Sequence, residues 1–497
     1  MSSNSSVDAD AADGHRPGRG LGRFGRAVGV VALGTAIALA GLVWVAVRWT
    51  DSVTSPVTSR AVLFGSWVVH YDDQAPAFGL IFGAVLLIVV CAATVAILER
   101  RIIDRSRRSK DGIATPLAPK IVMERTRGVF AGPVTITVLI PAHNEQASLP
   151  ATLSSLQVQS RRPERIVVVA DNCTDSTVAI ARTAGVEVWE SDNNTDKKAG
   201  ALNQALTTLL PGHGDNDVIM VMDADTILDD GFLEAAANRF TRDRALMAVG
   251  GLFYGEDGSG VLGQFQRNEY IRHAREVRRR RGRVFVLTGT ASLFRPTALR
   301  TVAASRGSLL PGKPGDVFDT VALTEDNELT IALKSLGALM QSPSDCTVVT
   351  EVMPTWRTLW AQRLRWQRGA LENLAAYGVT PQTFRYWVQQ IGIAYGAVAL
   401  FSYFVLMALT GMATERWVWY PFWLGIGALF IVERVVTVWK GGWRARLLAL
   451  ALLPELYYSA VLNAAFLTGI AHICRGRQAN WKHVDRSSAS SAVIMRS

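Results

Sequence analysis

"VIMVMDADT", residues 218–226, is a run of apolar residues that ends in two aspartates one residue apart. A short continuous apolar run carrying β-branched residues marks a strand buried on both faces, as in a parallel sheet covered by helices. Asp223 and Asp225 then stand at the C-terminal end of that strand, the edge at which open α/β sheets bind ligands. Two carboxylates held this close repel one another unless a divalent cation or a proton relieves the charge. Hard oxygen ligands suit Mg²⁺ or Mn²⁺. Taken alone, the stretch reads equally well as a strand followed by an Asx turn and a helix N-cap at Asp225 or Thr226.

The neighbouring sequence repeats the design. "VTITVLI" (134–140) is a second apolar strand, and "PAHNE" (141–145) turns it into a helix expected to begin near Gln146. "RIVVVA" (165–170) is a third, stopping at "DNCTD" (171–175). Three strands thus bring Glu145, Asp171 and the Asp223/Asp225 pair to one edge of one sheet. No GxGxxG follows the strand 134–140, and no GK[ST] phosphate loop occurs anywhere, which argues against a dinucleotide dehydrogenase and a P-loop ATPase.

Between these strands lies "KKAGALNQAL" (197–206). A lysine and small residues at a helix start, Lys198-Ala199-Gly200, suit an anion, because the helix N-terminus and the ammonium both favour negative charge; a solvated lysine cap has the same pattern. "LTGTASLFR" (287–295) has small residues that permit close backbone approach. "TEDNELT" (324–330) opens a helix with Thr324 as N-cap and acids in the first turn, which capping alone would explain. "WRTLWAQRLRWQRGALENL" (356–374) is an amphipathic helix whose apolar stripe would use Trp356, Leu359, Trp360, Leu364 and Leu371. Its arginines could pair with a diphosphate and Trp366 could face a sugar ring; an interfacial helix at lipid headgroups reads the same way.

Composition frames these motifs. The 497 residues are 49% hydrophobic and 19% charged, too apolar for a purely soluble enzyme and too charged for an all-membrane protein. Ala27–Val47 and Ala77–Leu98 are uncharged runs of 21 and 22 residues, each long enough to cross a hydrocarbon core of ~30 Å. Arg16, Arg19, Arg23 and Arg26 precede the first and "ERRIIDRSRRSK" (99–110) follows the second, so the positive-inside rule makes them a hairpin with both flanks cytoplasmic. No comparable run occurs from about residue 112 to 385. Apolar runs resume at Ile391–Thr414, Trp417–Val432 and Leu447–Cys474, the last interrupted by Pro454-Glu455. Three further crossings would put the basic tail outside, so one of these segments is expected to be interfacial or re-entrant, leaving four or five spans in all.

The resulting plan is a basic leader (1–26), a transmembrane hairpin (27–98), a cytosolic α/β domain (112–355), an amphipathic segment (356–385), a C-terminal membrane region (386–474) and a cytosolic tail (475–497). The net charge of +10 lies largely beside the spans, where topology explains it without nucleic acid. The densest run, "HAREVRRRRGR" (273–283), suits docking on the cytoplasmic leaflet. Cys91, Cys173, Cys346 and Cys474 lie far apart and imply neither a zinc site nor a disulfide framework.

In order along the chain, PAHNE, DNCTD, KAGALN, DADT, TED and Gln362-Arg363-Leu364-Arg365-Trp366, followed by membrane helices, resemble the membrane-embedded family 2 glycosyltransferases, the group of cellulose, chitin, hyaluronan and poly-N-acetylglucosamine synthases. The resemblance implies a GT-A type domain between N- and C-terminal membrane helices of the cell (inner) membrane. It implies that Glu145 and Asp171 hold uridine, with His143 where a ring meets uracil; histidine replaces the commoner tyrosine there. Lys198 and Asp223 would contact the nucleotide, and Asp225 with Asp223 would ligate Mg²⁺ or Mn²⁺. Asp326 would be the general base, Arg365 would neutralise the leaving UDP, and Glu325, Gln362 and Trp366 would line the acceptor site. The implied reaction is inverting, processive transfer from a UDP-sugar to a polysaccharide acceptor translocated through the membrane, with N-acetylglucosamine ahead of glucose and envelope export partners. A cellulose-like glucan synthase, a single-addition transferase to a polyprenyl phosphate and a non-catalytic nucleotide-sugar sensor are the other readings.

Overall fold

A computed structural model describes residues 41, 44, 59–64, 66–72, 75–128, 132–413 and 418–477. The leader 1–26, all but two residues of the expected span 27–47, and the tail beyond residue 477 lie outside the described residues. Strands β1 (Ser59–Leu63) and β2 (Trp67–Tyr71) form an antiparallel hairpin. It precedes the helix Phe78–Arg107, which contains all of the expected run 77–98 but Ala77, its N-cap, and continues into the charged segment after it. At ~1.5 Å per residue, those 30 residues are longer than a bilayer core is thick, so a crossing would leave the final arginines outside it.

The middle of the chain is an α/β domain. Its strands are β3 (Thr135–Ala142), β4 (Arg165–Ala170), β5 (Glu187–Glu190), β6 (Asp217–Met222), β7 (Ile227–Leu228), β8 (Leu246–Gly250), β9 (Leu252–Gly255), β10 (Ala291–Phe294), β11 (Leu339–Gln341) and β12 (Thr347–Thr350). Seven of them make one sheet in the order β11-β8-β10-β6-β3-β4-β5, in which only β10 runs against the rest. Strands β7, β12 and β9 form a small second sheet.

The unbroken hydrophobicity of the strands follows from burial on both faces. Leu139, Val167, Ile219 and Val221 face one core, with Leu202, Leu206, Leu299 and Leu329 from covering helices. Val138, Ile140, Val168, Met220 and Met222 face the other, with Leu153, Phe232 and Phe240. Fully burying each such side chain stabilises the fold by about 1.5–3 kcal/mol, and the alternation locks the register. Parallel pairing of β3 with β4 and with β6 places the residues that follow all three strands at one edge.

The helix after β3 begins at Leu149 instead of near Gln146. Asn144 adopts a left-handed φ of 57° and Pro150 sits in the first turn, so the chain completes a turn before it can coil.

Beyond the domain, the helix Trp356–Tyr377 leads to Phe384–Ala413, to β13 (Val418–Trp419) and to Pro421–Thr437. Strand β13 pairs with β2, joining the loop after Phe384–Ala413 to the loop before Phe78–Arg107. The expected run Leu447–Cys474 splits at Ala451 into Gly442–Leu450 and Leu452–Cys474. Pro454 is tolerated because it lies in the first turn of the second helix, where an amide N–H has no intrahelical partner. Among the described residues three helices are long and apolar enough to cross a membrane, or four if the pair Pro421–Thr437 and Trp439–Leu450, bent by 59°, counts as one.

The basic run 273–283 starts on the helix Gly260–Arg279, which packs against Pro421–Thr437 and Gly442–Leu450. Arg272 pairs with the buried Glu455 at 2.9 Å, and Arg434 meets the same carboxylate at 3.3 Å. Arg275, inside the run, donates to the Val436 carbonyl, so part of the run is committed to the same joint.

Candidate active site

Four charged side chains and one glycine meet beyond the carboxyl end of β6. Lys198, in the first turn of the helix Lys197–Leu209, donates to Asp223 Oδ1 at 2.6 Å and lies 2.9 Å from Glu325 Oε1. Asp326 Oδ2 accepts the Gly289 N–H at 3.1 Å, and its Oδ1 accepts the Asn327 N–H at 2.7 Å. A Cβ on Gly289 would stand 3.3 Å from Lys198 Nζ, 3.5 Å from Asp223 Oδ2 and 3.7 Å from Asp326 Oδ2. The small residues of "LTGT" thus let the backbone approach the charged groups closely.

This crowding sets the electrostatics. Burial works against the Lys198 ammonium, but Asp223 and Glu325 outweigh it and hold its pKa above the ordinary lysine value. Burial raises the Asp223 carboxyl, with Lys198 opposing and the charge of Asp225 adding to the rise. Glu325 is held below its usual range because Lys198 overcomes desolvation, assisted by Arg365. Asp326 is pushed up to about 6, first by desolvation and then by the charge of Glu325, against the pull of Lys198. A carboxylate near 6 is tuned to accept a proton at neutral pH.

Asp171, at the end of β4, is buried. Its Oδ1 accepts from Ser191 Oγ and Asn194 Nδ2, each at 2.8 Å, and from Asn172 Nδ2 at 3.1 Å. His143 Nδ1 lies 2.6 Å from the Asp171 carbonyl. Glu145 accepts from Ser148 Oγ at 2.7 Å, and its N–H donates to Thr177 Oγ1 at 2.8 Å. Asn194 also donates to the Lys197 carbonyl at 2.7 Å, tying the Asp171 corner to the lysine helix. Gly200 makes this possible, because a Cβ there would fall 2.1 Å from Asn194 Oδ1. Ser191 and Asn194 were missed from the pattern; the Asn/Asp cluster "SDNNTD" (191–196) before the lysines was their signal.

The helix Trp356–Tyr377 supplies the remaining candidates. Thr355 caps it in a box with Thr358, whose N–H it accepts at 3.2 Å. The most buried positions are Leu359, Arg363, Arg368, Gly369, Asn373 and Leu374. This face differs from the expected stripe, of which Leu359 alone is fully buried and Trp356 remains exposed. The reason is charge pairing: Arg363 meets Glu269 at 2.9 Å and Arg368 meets Glu372 at 2.6 Å, so polar residues enter the packed face. Two of the arginines expected to be available for a diphosphate are therefore occupied. Arg365 makes no ion pair among the described residues, yet lies near enough to Glu325 to lower its pKa. Gln362 Oε1 is buried without a hydrogen-bond partner, and neither Gln362 nor Trp366 bonds to the charged cluster.

This helix and Glu325–Ser335 touch at Gly369, where a Cβ would meet Thr324 Oγ1 at 2.6 Å. Asn373 Nδ2 donates to both the carbonyl and the hydroxyl oxygen of Thr324 at 3.2 Å. Thr324 does occupy the N-cap position, but its hydroxyl makes no capping hydrogen bond. Farther along, Arg306 and Glu328 form a bidentate pair at 2.5 and 2.8 Å with both side chains out of solvent.

Residues 137–303 match the family model described as Glycosyl transferase family 2. The chain carries a family 2 glycosyltransferase domain. Its mixed, mostly parallel sheet is the GT-A type arrangement that the motifs implied. Poly-beta-1,6-N-acetyl-D-glucosamine synthases of Staphylococcus aureus (strain COL) and Staphylococcus epidermidis are 26% and 25% identical to it over 252 residues, 48% of this chain and 55% of theirs. The chain spans about half the length of these curated relatives. Among solved structures, the mannosyltransferase PcManGT from Pyrobaculum calidifontis, in complex with GDP-Man and Mn²⁺, matches with a TM-score of 0.47 at 18% identity, over 77% of this chain and 100% of that one. Glucosyl-3-phosphoglycerate synthase from Mycobacterium tuberculosis, in complex with Mn²⁺, UDP and phosphoglyceric acid, matches with a TM-score of 0.34 at 18% identity, over 52% and 83%.

Among the described residues no group of three or more His, Cys, Asp or Glu side chains could cage a metal ion. Asp223 and Asp225 together fit a different arrangement. Mg²⁺ usually takes one or two carboxylates plus substrate phosphate oxygens and water, and the repulsion from Asp225, which adds to the burial that raises Asp223, is what a cation would relieve.

Proposed function

We propose that this protein transfers a sugar, N-acetylglucosamine first and glucose second, from a UDP-sugar to a growing β-linked polysaccharide, with inversion at the anomeric carbon. The observation that carries the reading is Asp326: a half-buried carboxylate raised to about 6, held by Gly289 beside the Lys198–Asp223 pair at the sheet edge of a family 2 domain. The sugar assignment draws on the product named for the staphylococcal relatives.

In this mechanism the acceptor hydroxyl attacks the anomeric carbon, and the bond from that carbon to the diphosphate oxygen breaks. Asp326 takes the hydroxyl proton. Lys198 and Arg365 offset the charge that develops on the departing diphosphate. Asp171 and Glu145, with His143, hold the uridine; Glu325, Gln362 and Trp366 face the acceptor. A divalent cation held by Asp223 and Asp225 would supply further charge neutralisation at the diphosphate.

The catalytic domain is placed on the cytoplasmic side, supported by the arginines that end Phe78–Arg107 and by the Arg385–Glu99 pair at 3.0 Å, which ties that end to the start of Phe384–Ala413. The pairing of β2 with β13 joins the opposite ends. Helix Leu452–Cys474 runs beside Trp356–Tyr377, with Tyr458 in one cluster with Leu359, Gly469 against Arg368, and Arg368 donating to the Arg477 carbonyl. A partner that carries Arg363, Arg365, Arg368 and Glu372 does not lie in hydrocarbon. This side-by-side packing supports an in-plane last helix and a cytosolic tail.

Incorporation of label from UDP-N-acetylglucosamine and, in parallel, UDP-glucose, by membrane vesicles with Mg²⁺ or Mn²⁺ and with products resolved by size, tests the reading. A large product from one donor, lost in Asp326→Asn, is expected. Label confined to a small lipid-extractable product would replace polymerisation with single addition to a polyprenyl phosphate. Asp225→Ala is expected to weaken metal-dependent UDP binding, and unchanged binding would remove Asp225 from the metal site.

A further inference from the structure

Between Gln362 and Trp366 stands an arginine with no part yet in the reaction. Arg363 is 4% exposed, and its guanidinium lies 4.4 Å from the centroid of the Trp366 ring, one turn along the same helix. Glu269, on Gly260–Arg279, pairs with it at 2.9 Å, and Tyr458, on Leu452–Cys474, donates its hydroxyl to the same Glu269 oxygen at 2.6 Å. Three elements distant in sequence thus converge on one charge. Arg363 Nε is buried without a hydrogen-bond partner, so Glu269 is its one anionic partner among the described residues. A guanidinium out of water stays in place only while a carboxylate faces it. Seated on the indole, it covers one face of Trp366 and holds the ring's orientation.

We propose that Glu269 is a positioning residue: acting through Arg363, it fixes the Trp366 indole, and so governs how the growing chain is held, while leaving the sugar nucleotide site untouched. This rests on the polymerase reading above. Neither Glu269 nor Arg363 touches Lys198, Asp223 or Asp326, so the consequence of losing the pair is a split between two activities of one enzyme.

The test uses the full chain in phospholipid nanodiscs with labelled UDP-N-acetylglucosamine, and follows UDP release, free sugar and polymer together. In Glu269→Gln, UDP affinity and donor hydrolysis are expected to stay within about twofold of the wild type, while the share of released sugar found in polymer falls about tenfold and products shorten. Glu269→Asp, which keeps the charge, is expected to recover much of that loss. Tyr458→Phe keeps the ion pair and removes one hydrogen bond, so a shift of about twofold in the same direction is expected, and it serves if Glu269→Gln does not fold. Equal loss of hydrolysis and polymer, or an unchanged polymer share, overturns the inference while the polymerase reading stands. A wild type that makes no polymer in this assay overturns both.

Discussion

The sheet edge and the helix Trp356–Tyr377 both bring charge to the site, but they hold it differently. At the edge, Asp171, Asp223 and Lys198 sit within a residue or two of a strand end or helix start, so local structure aims them. On the helix, Arg363, Gly369 and Asn373 are fixed by Glu269, Thr324 and Tyr458, residues that lie far away in sequence. The edge is a cluster whose charges oppose each other, which tunes their proton affinities. The helix is a bearing surface on which charges are paired and buried, which sets where the edge and the membrane region meet. Chemistry is therefore expected to fail first at the edge, and assembly first along the helix.

The largest effect is expected at the edge. Asp326→Asn should lower transfer by about a thousandfold or more, with UDP affinity nearly unchanged, as measured by initial rates beside calorimetric titration. Asp326 must be ionised to accept a proton, so the wild-type rate should rise with pH up to about 6 and level above it. Stability has the opposite sign. A carboxyl whose folded pKa is raised favours the fold at low pH, and that contribution is lost as pH rises from the unfolded value through about 6. Asp326→Asn should therefore stabilise the protein at neutral pH, by about 1–2 kcal/mol after allowing for partial solvent access. A rate independent of pH across this window would break the contrast between tuned and paired charges.

Next comes a paired charge. Arg306→Met leaves the Glu328 carboxylate buried without its cation, with the Tyr377 hydroxyl still donating to it, and a loss of about 3–5 kcal/mol is expected in thermal or denaturant unfolding. Replacing both residues by apolar ones should restore much of it. If the single substitution costs little, the pair is not the clamp on Glu325–Ser335 that its burial implies.

The smallest effects sharpen the comparison. Gly200→Ala and Gly369→Ala each force a methyl group into occupied space, at 2.1 Å from Asn194 Oδ1 and 2.6 Å from Thr324 Oγ1, and each should cost about 1–3 kcal/mol. Their readouts should differ: Gly200→Ala shifts the loop that holds Asp171 and weakens UDP binding, whereas Gly369→Ala separates two helices and lowers transfer at saturating donor. Identical profiles would show that the two regions act as one unit.

The strands at 134–140, 165–170 and 218–222 were legible because each is buried on both faces, which demands a continuous apolar run and leaves the polar residues to mark its end. The helix starts at Lys197, Glu325 and Trp356 were legible from their first turns. Less was legible in the helix Trp356–Tyr377, where hydrophobic periodicity pointed to Trp360, Leu364 and Leu371 while the buried face took in Arg363, Arg368 and Asn373. Periodicity reports apolar residues alone, and a charge buried against a distant partner leaves no local pattern. The split at Ala451 was displaced from the expected Pro454 for a similar reason, since a proline in the first turn breaks no hydrogen bond.

The sequence by itself determined which residues stand at the sheet edge and that long apolar segments flank them, because strand burial, helix capping and span length are short-range demands. Only the tertiary structure decided that Lys198 bridges Asp223 and Glu325, that Asp326 is raised, and that Glu269 and Tyr458 hold Arg363 on Trp366. Those outcomes depend on charges brought together out of water from separate elements, where each group's cost of burial is set by the partner that folding supplies.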